Sequence, residues 1–342
     1  MAITTALLVT ALASAPGGAA AATAQVIPTV YEVGHFYAVL ETTDGQRLRL
    51  LVDTGGGGGN GLYWISRAAA SRLHLRTTSC AEKDGQKGHL HLPVAPLPDY
   101  RAGHALPPPG DSPCGAVVLV FAQSGANFDD GQLGAGYLPG RVWTFDYPAQ
   151  RLSLERKDWQ PAPDAHRALL GFPHDASGKP DSGFPRITIR VDGQPLDMLL
   201  DTGATAHPTI EGQRISGTST INGYGVTSYI TSSMFGRWHK AHPDWRVVDN
   251  GDDLLGSDHA TRMIEVPKVE IAGWSVGPTW FTERPDHNFH DVMSSMMDKQ
   301  VEGSVGANVF QHFVMTLDYP HETAWLRCAN GCKAVATPPP GP

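Results

Sequence analysis

One stretch of this chain occurs twice. Leu50-Leu51-Val52-Asp53-Thr54-Gly55 returns as Met198-Leu199-Leu200-Asp201-Thr202-Gly203. The residues upstream repeat as well: Asp44-Gly45-Gln46-Arg47-Leu48 is echoed by Asp192-Gly193-Gln194-Pro195-Leu196 at the same offset of 148 (53 to 201). An apolar run ending in Asp-Thr-Gly reads as a buried strand that delivers a carboxylate into a tight turn. A single such turn says little, because Asp and Gly are ordinary turn residues. Two in matching context point to an internal duplication, with a pair of aspartates meeting across a pseudo-two-fold axis.

A second block is also duplicated. Gly131-Gln132-Leu133-Gly134-Ala135 matches Gly303-Ser304-Val305-Gly306-Ala307, and Thr144-Phe145-Asp146-Tyr147-Pro148 matches Thr316-Leu317-Asp318-Tyr319-Pro320. Here the offset is 172 (134 to 306), so the second half holds 24 more residues between its two blocks (172 against 148). The extra length is expected between Ile210 and Val266. Pro- and Gly-rich composition over 159–180 separates the halves. The expected organisation is a leader over 1–24, a first lobe over 25–158, a linker over 159–180 and a second lobe over 181–342.

The leader is expected because Ile3–Ala13 is mostly apolar and Ala22-Thr23-Ala24 fits a small-residue cleavage site, although no Lys or Arg precedes Arg47. This predicts an exported protein, periplasmic or secreted. No other apolar run is long enough to span a bilayer, so no membrane insertion is expected after processing. With 26 basic and 34 acidic residues the formal charge is −8, and no basic cluster invites nucleic acid. The chain has 38 Gly and 27 Pro, which favours turns and short strands over long helices. Four cysteines suit export. Cys328 and Cys332 have the spacing of a small disulfide loop, which leaves Cys80 with Cys114; four free thiols or a metal site are the alternatives. His89 and His91 alternate on a strand face and could hold a metal, but an exposed or structural pair is the simpler reading.

Hairpins are expected at Phe36–Val52, around Tyr147-Pro148, and over 263–280 with a turn at Ala272-Gly273. Ala116–Ala122 should be a strand and Arg67–Leu73 a short helix. Residues 80–113 show little periodicity and read as an irregular loop. Thr227–Ala241 has helical spacing, with Ile230, Met234 and Trp238 on one face and Pro243 at its end. Asp286–Lys299 suggests a short helix whose Met293, Met296 and Met297 pack into the core.

The paired Asp-Thr-Gly turns, each followed by a Gln132-Leu133-Gly134 or Ser304-Val305-Gly306 motif, resemble the aspartic peptidases. The layout is similar to a bacterial pepsin-like or retropepsin-like protein with both lobes in one chain. The resemblance implies a mostly β, two-lobed fold with a few short helices and a cleft between the lobes. It implies that Asp53 and Asp201 form a catalytic dyad. Thr54 and Thr202 would cross-bond beneath it, and Gly55 and Gly203 would permit the turns. It also implies substrate contacts at Trp64, at Gly56 and Ala204 after the turns, and at Tyr224 as a flap tip of the second lobe. Pepsin-like enzymes carry Ser or Thr where Gly56 and Ala204 stand, so a hydroxyl donor to each carboxylate is expected to be missing. The run Gly56–Gly59 has no counterpart in the family pattern, and no flap hairpin stands out in the first lobe.

Two close carboxylates cannot both ionise and share one proton. The ionised member can activate a water and the protonated member can polarise a carbonyl, with no metal or organic cofactor. The expected activity is therefore aspartic endopeptidase, acting on peptide or protein as a monomer. The alternative is a non-catalytic peptide- or polymer-binding protein on the same fold. Neither a Gly-x-Ser-x-Gly elbow nor a His-Glu-x-x-His helix is present to support another hydrolase.

Overall fold

The structure is a computed structural model. It describes residues 24–57, 61–84, 88–110, 112–122 and 129–335, without the side chains of 82–84 and 88–90. Except for Ala24, the expected leader lies outside the described residues, as do Gly58, Gly59 and Asn60.

The first half runs β1 (Gln25–Ile27), β2 (Thr29–Glu32), β3 (His35–Glu41), β4 (Arg47–Val52), β5 (Trp64–Ser66) and α1 (Arg67–Arg72), then β6 (Thr78–Asp84), β7 (Gly88–Pro96), β8 (Val117–Phe121), β9 (Gly131–Leu133), β10 (Val142–Asp146) and β11 (Arg151–Leu154). After β12 (His166–Leu169) come β13 (Arg186–Val191), β14 (Gln194–Leu200), β15 (Thr205–Ala206), α2 (Ile210–Ser216), β16 (Gly225–Val226), β17 (Ser228–Thr231) and α3 (Ser232–Ala241). The chain continues through β18 (Val247–Asp252), β19 (Thr261–Val266), β20 (Val269–Ile271), β21 (Trp274–Val276) and β22 (Thr279–Arg284). It closes with β23 (Gly303–Val305), α4 (Ala307–Phe310), β24 (Phe313–Asp318), β25 (Thr323–Cys328) and β26 (Lys333–Ala334).

The sequence repeat is matched in the sheets. The first lobe orders its strands β3-β4-β9-β5-β8-β7-β6 and the second β13-β14-β23-β17-β22-β19-β18. In each lobe the strand that ends at the aspartate pairs in parallel with the later Gly-flanked strand, Leu50 opposite Gly131 and Leu199 opposite Ser304. The alternation that builds these strands is plain: Leu48, Leu50 and Val52 are buried in β4, and Ile187, Ile189 and Val191 in β13. The β13–β14 hairpin turns at Asp192-Gly193, both at positive φ, as a two-residue turn of that hand requires.

A third sheet, β1-β11-β10-β24-β25-β12, joins the lobes. Its centre is β10 against β24, with Thr144 opposite Thr316 and their hydroxyls 2.9 Å apart. These two threonines are equivalent under the 172-residue repeat, so the pseudo-two-fold axis passes between them. The core is continuous across both lobes and includes an aromatic group of Phe36, Phe145, Tyr147 and Phe310. The architecture is mostly β and two-lobed. The segment expected as a linker contributes β12, which pairs with β25.

Three expectations need correction. Residues 80–113 are not an irregular loop: β6 and β7 form a long antiparallel hairpin. The hairpin lies between α1 and β8, the place held by β18–β19 between α3 and β22 in the second lobe. Thr227–Ala241 is not one helix, because Ser228–Thr231 is a strand between β23 and β22 and the helix begins at Ser232. The Ala272-Gly273 turn is present, but it joins only β20 and β21, while β19 pairs outside it with β22. Of the three methionines expected in the core, Met297 is buried and Met293 packs beside it, against Leu199, Phe289 and Val301, while Met296 is only partly buried and lies outside that cluster.

Cys80 is bonded to Cys114 and Cys328 to Cys332. The first bond spans 34 residues and ties the β6–β7 hairpin to the loop before β8. Replacing Cys80 and Cys114 by Ser should lower stability by up to roughly 4 kcal/mol through the loop entropy released on unfolding. Thermal melts of the double variant should fall by several degrees, and a melt equal to the parent would contradict this.

Candidate active site

The two Asp-Thr-Gly turns meet at the lobe interface. Each threonine serves the opposite lobe. Thr54 Oγ1 donates to the Leu200 carbonyl at 2.6 Å and accepts from the Thr202 backbone N–H at 3.0 Å. Thr202 Oγ1 donates to the Val52 carbonyl at 2.8 Å and accepts from the Thr54 N–H at 3.1 Å. Both side chains are buried, so these bonds are made away from competing water.

Above this brace the Asp53 and Asp201 carboxyls are hydrogen-bonded to each other. Each is 7% exposed. The Gly55 N–H donates to Asp53 Oδ1 at 2.8 Å, and the Gly203 N–H to Asp201 Oδ1 at 3.0 Å. The glycines are required by the approach of the opposite carboxylate. A Cβ on Gly55 would stand 2.5 Å from Asp201 Cγ, and one on Gly203 would collide with Asp53. Burial pushes both carboxyls up, and the charge of Asp53 drives Asp201 further above the usual carboxylate range. The turn amides of Gly55, Gly56 and Gly203 act in the opposite direction on Asp53.

The other sequence-predicted residues divide. Trp64 is in the site, donating its indole N–H to Gln132 Oε1 at 3.0 Å. Gly56 lies against the same Gln132 side chain, and a Cβ there would run into it. Ala204 is buried under the second turn and carries no donor. Tyr224 ends a tight turn, Ile221 to Tyr224, and packs at a tilt against His207 with ring centres 4.7 Å apart. His207 is held by Asp253, the residue that follows β18. Among the described residues no cluster of metal-ligating side chains occurs.

Two residues were missed. The place of the missing hydroxyl is taken, at Asp53, by an amide: Gln132 Nε2 donates to its Oδ2. The signal was a polar residue inside the apolar Gly131–Gly134 motif. His35, 3% exposed at the start of β3, crosses to the second lobe, where its ring bonds the backbone of Gly203 and Ala204 and lies 3.3 Å from Thr205 Oγ1. Nothing in the residues around His35 distinguishes it from other strand histidines.

No family model matches the chain, and no curated protein matches it. Among solved structures it is similar to the crystal structure of the aspartic proteinase from Irpex lacteus. The identity is 12% over 90% of this chain and 98% of that one, with a TM-score of 0.46. So distant a likeness says nothing about the site. The duplicated sheets, paired turns and joining sheet define the fold by themselves as the two-lobed aspartic-protease fold.

Two predictions follow from this geometry. Thr54→Val keeps the shape but leaves the Leu200 carbonyl and the Thr202 N–H unpaired, at a cost of roughly 2–5 kcal/mol. Denaturant titration should show this loss, and a change under about 1 kcal/mol would refute the brace as a stabilising element. Burial lowers His35 to about 4, below its ordinary 6.5. Between those values the unfolded chain binds the proton and the folded one does not, so this group makes stability fall as pH drops from 6.5 to 4. In His35→Gln, melting temperature should fall less over that interval than in the parent, and parallel curves would refute the assignment.

Proposed function

We propose that the protein is an aspartic endopeptidase. The observation that carries this reading is the pair of buried, mutually hydrogen-bonded carboxyls, Asp53 and Asp201, on a brace that spans both lobes. A pure binding protein gains nothing from burying two like-charged groups together, which is costly unless they share a proton. The shared proton makes the pair a base and an acid at once. The ionised carboxylate takes a proton from a bridging water as that water attacks the scissile carbonyl. The protonated carboxyl polarises the carbonyl oxygen, and its proton passes to the leaving nitrogen. The pair titrates as a unit.

The β6–β7 hairpin supports the same reading. It stands where a first-lobe flap belongs in chain order, and a peptidase needs such an element more than a binding protein does. Peptide or protein is the substrate class, and a single chain supplies both aspartates. Two disulfides suit an oxidising, extracytoplasmic compartment. Among the described residues no helix is long and apolar enough to cross a membrane.

The test is cleavage of a mixed peptide library across acidic to mildly alkaline pH, with a statine-type transition-state analogue as competitor. Wild type should cut, the analogue should block it, and Asp53→Asn or Asp201→Asn should each lower kcat/KM by at least about a thousandfold. Because burial raises both carboxyls, activity should peak well above the strongly acidic range of about pH 2. Peptide binding without turnover at any pH would instead establish the binding-protein alternative.

A further inference from the structure

The duplicated halves differ where their side chains reach the aspartates. Gln132 and Ser304 are equivalent under the 172-residue repeat. Trp64 and Tyr229 are equivalent by strand register, each pairing with one of those two residues. In the first lobe Trp64 donates to Gln132, and Gln132 donates to Asp53. In the second lobe the Tyr229 hydroxyl turns to the Thr205 backbone, accepting from its N–H at 3.0 Å and donating to its carbonyl. Ser304 Oγ is buried and opposes the rise of Asp201, but makes no hydrogen bond of ordinary geometry among the described residues.

The polarity of the first-lobe chain is fixed. The indole N–H can only donate, so the Gln132 carbonyl oxygen must face Trp64 and the NH₂ must face Asp53. An NH₂ can only donate, and a donor aimed at a carboxyl oxygen favours the ionised form. A serine hydroxyl at this place could rotate and serve either form. Gly56 completes the arrangement: any side chain there would occupy the space of the Gln132 amide.

Resting on the peptidase reading, we propose that Gln132, oriented by Trp64 and admitted by Gly56, is a positioning residue that makes Asp53 the ionised member of the pair. Asp53 is then the base that takes the water's proton, and Asp201 holds the proton that polarises the carbonyl. The job done by a hydroxyl after the turn in pepsin-like enzymes has moved to the strand β9.

The test compares the full chain with Gln132→Ala, Trp64→Phe, Gly56→Ser and the double variant Gln132→Ala/Gly56→Ser, each first shown folded by its melt. Two readouts are taken: the pH profile of kcat/KM on a cleaved peptide, and the titration of ¹³C-carboxyl-labelled aspartates followed by NMR. Loss of a hydrogen bond to a charged group should move the first ionisation of the pair, and the acid limb of the profile, up by about one pH unit in Gln132→Ala. KM should change little. Trp64→Phe should give a smaller shift in the same direction. Gly56→Ser alone should impair activity by collision, whereas the same change added to Gln132→Ala should return the acid limb toward wild type, because the serine then has both space and a partner.

If the acid limb and the carboxyl titration stay in place in both Gln132→Ala and Trp64→Phe, the assignment is overturned. It is also overturned if Gly56→Ser is as damaging when combined with Gln132→Ala as it is alone. The two readouts separate the claims. Cleavage with no shift sinks the role of Gln132 alone. A shift of the Asp53 carboxyl with no cleavage of any peptide supports that role in setting ionisation and sinks the peptidase reading alone.

Discussion

Four hydrogen bonds between Thr54, Thr202 and the strand ends of the opposite lobes carry the rest of the arrangement. They are what allow two carboxyls to stand together in a buried place. Each threonine satisfies a backbone carbonyl and a backbone N–H that the turn would otherwise strand away from water. The orientation of each aspartate therefore depends on the position of the other lobe. Behind the brace, the joining sheet and a continuous apolar core keep the lobes in register, so the brace is not asked to hold them together alone.

Much of this was readable from the residues because the pattern is repeated. Two copies of a pattern reveal which features are architectural: the strands ending at Asp53 and Asp201, the Gly131–Gly134 and Gly303–Gly306 motifs, and the hairpins at Tyr147 and Tyr319. Both disulfides followed from cysteine number and spacing. The failures have physical causes. In the β6–β7 hairpin, β6 is polar and without alternation, and the alternation of Leu90, Leu92 and Val94 in β7 is masked by Pro93 and Pro96 within the strand. The stretch before α3 has the same apolar residues that a longer helix would need. Only pairing with β22 and β23 makes 228–231 a strand. Gln132 and His35 act through partners distant in sequence; the polar residue inside the Gly131–Gly134 motif hinted at the first, and no local pattern marks the second.

The two halves share a strand order and differ in side chains. Gln132 against Ser304 and Trp64 against Tyr229 break the symmetry of the hydrogen bonding at the pair. The segment Thr205–Val226, with β15, α2 and β16, breaks it again beside the second turn. It accounts for the larger part of the added length, since Trp64 and Tyr229 are 165 residues apart while the aspartates are 148 apart. In a symmetric site one shared proton would sit equally on either carboxyl, whereas unlike neighbours bias which of the two holds it.

The contact of β10 with β24 also bears on how such a chain could be divided. Either lobe produced by itself would expose the unsatisfied edge of its central strand at Thr144 or Thr316, together with a threonine hydroxyl lacking its carbonyl partner. An open edge of that kind recruits another strand. Because the two edges are related by the repeat, the nearest substitute for the missing half is a second copy of the half that remains. A severed lobe would therefore have the means to rebuild the interface as a symmetric dimer, trading the asymmetry around Asp53 for two identical carboxyl environments.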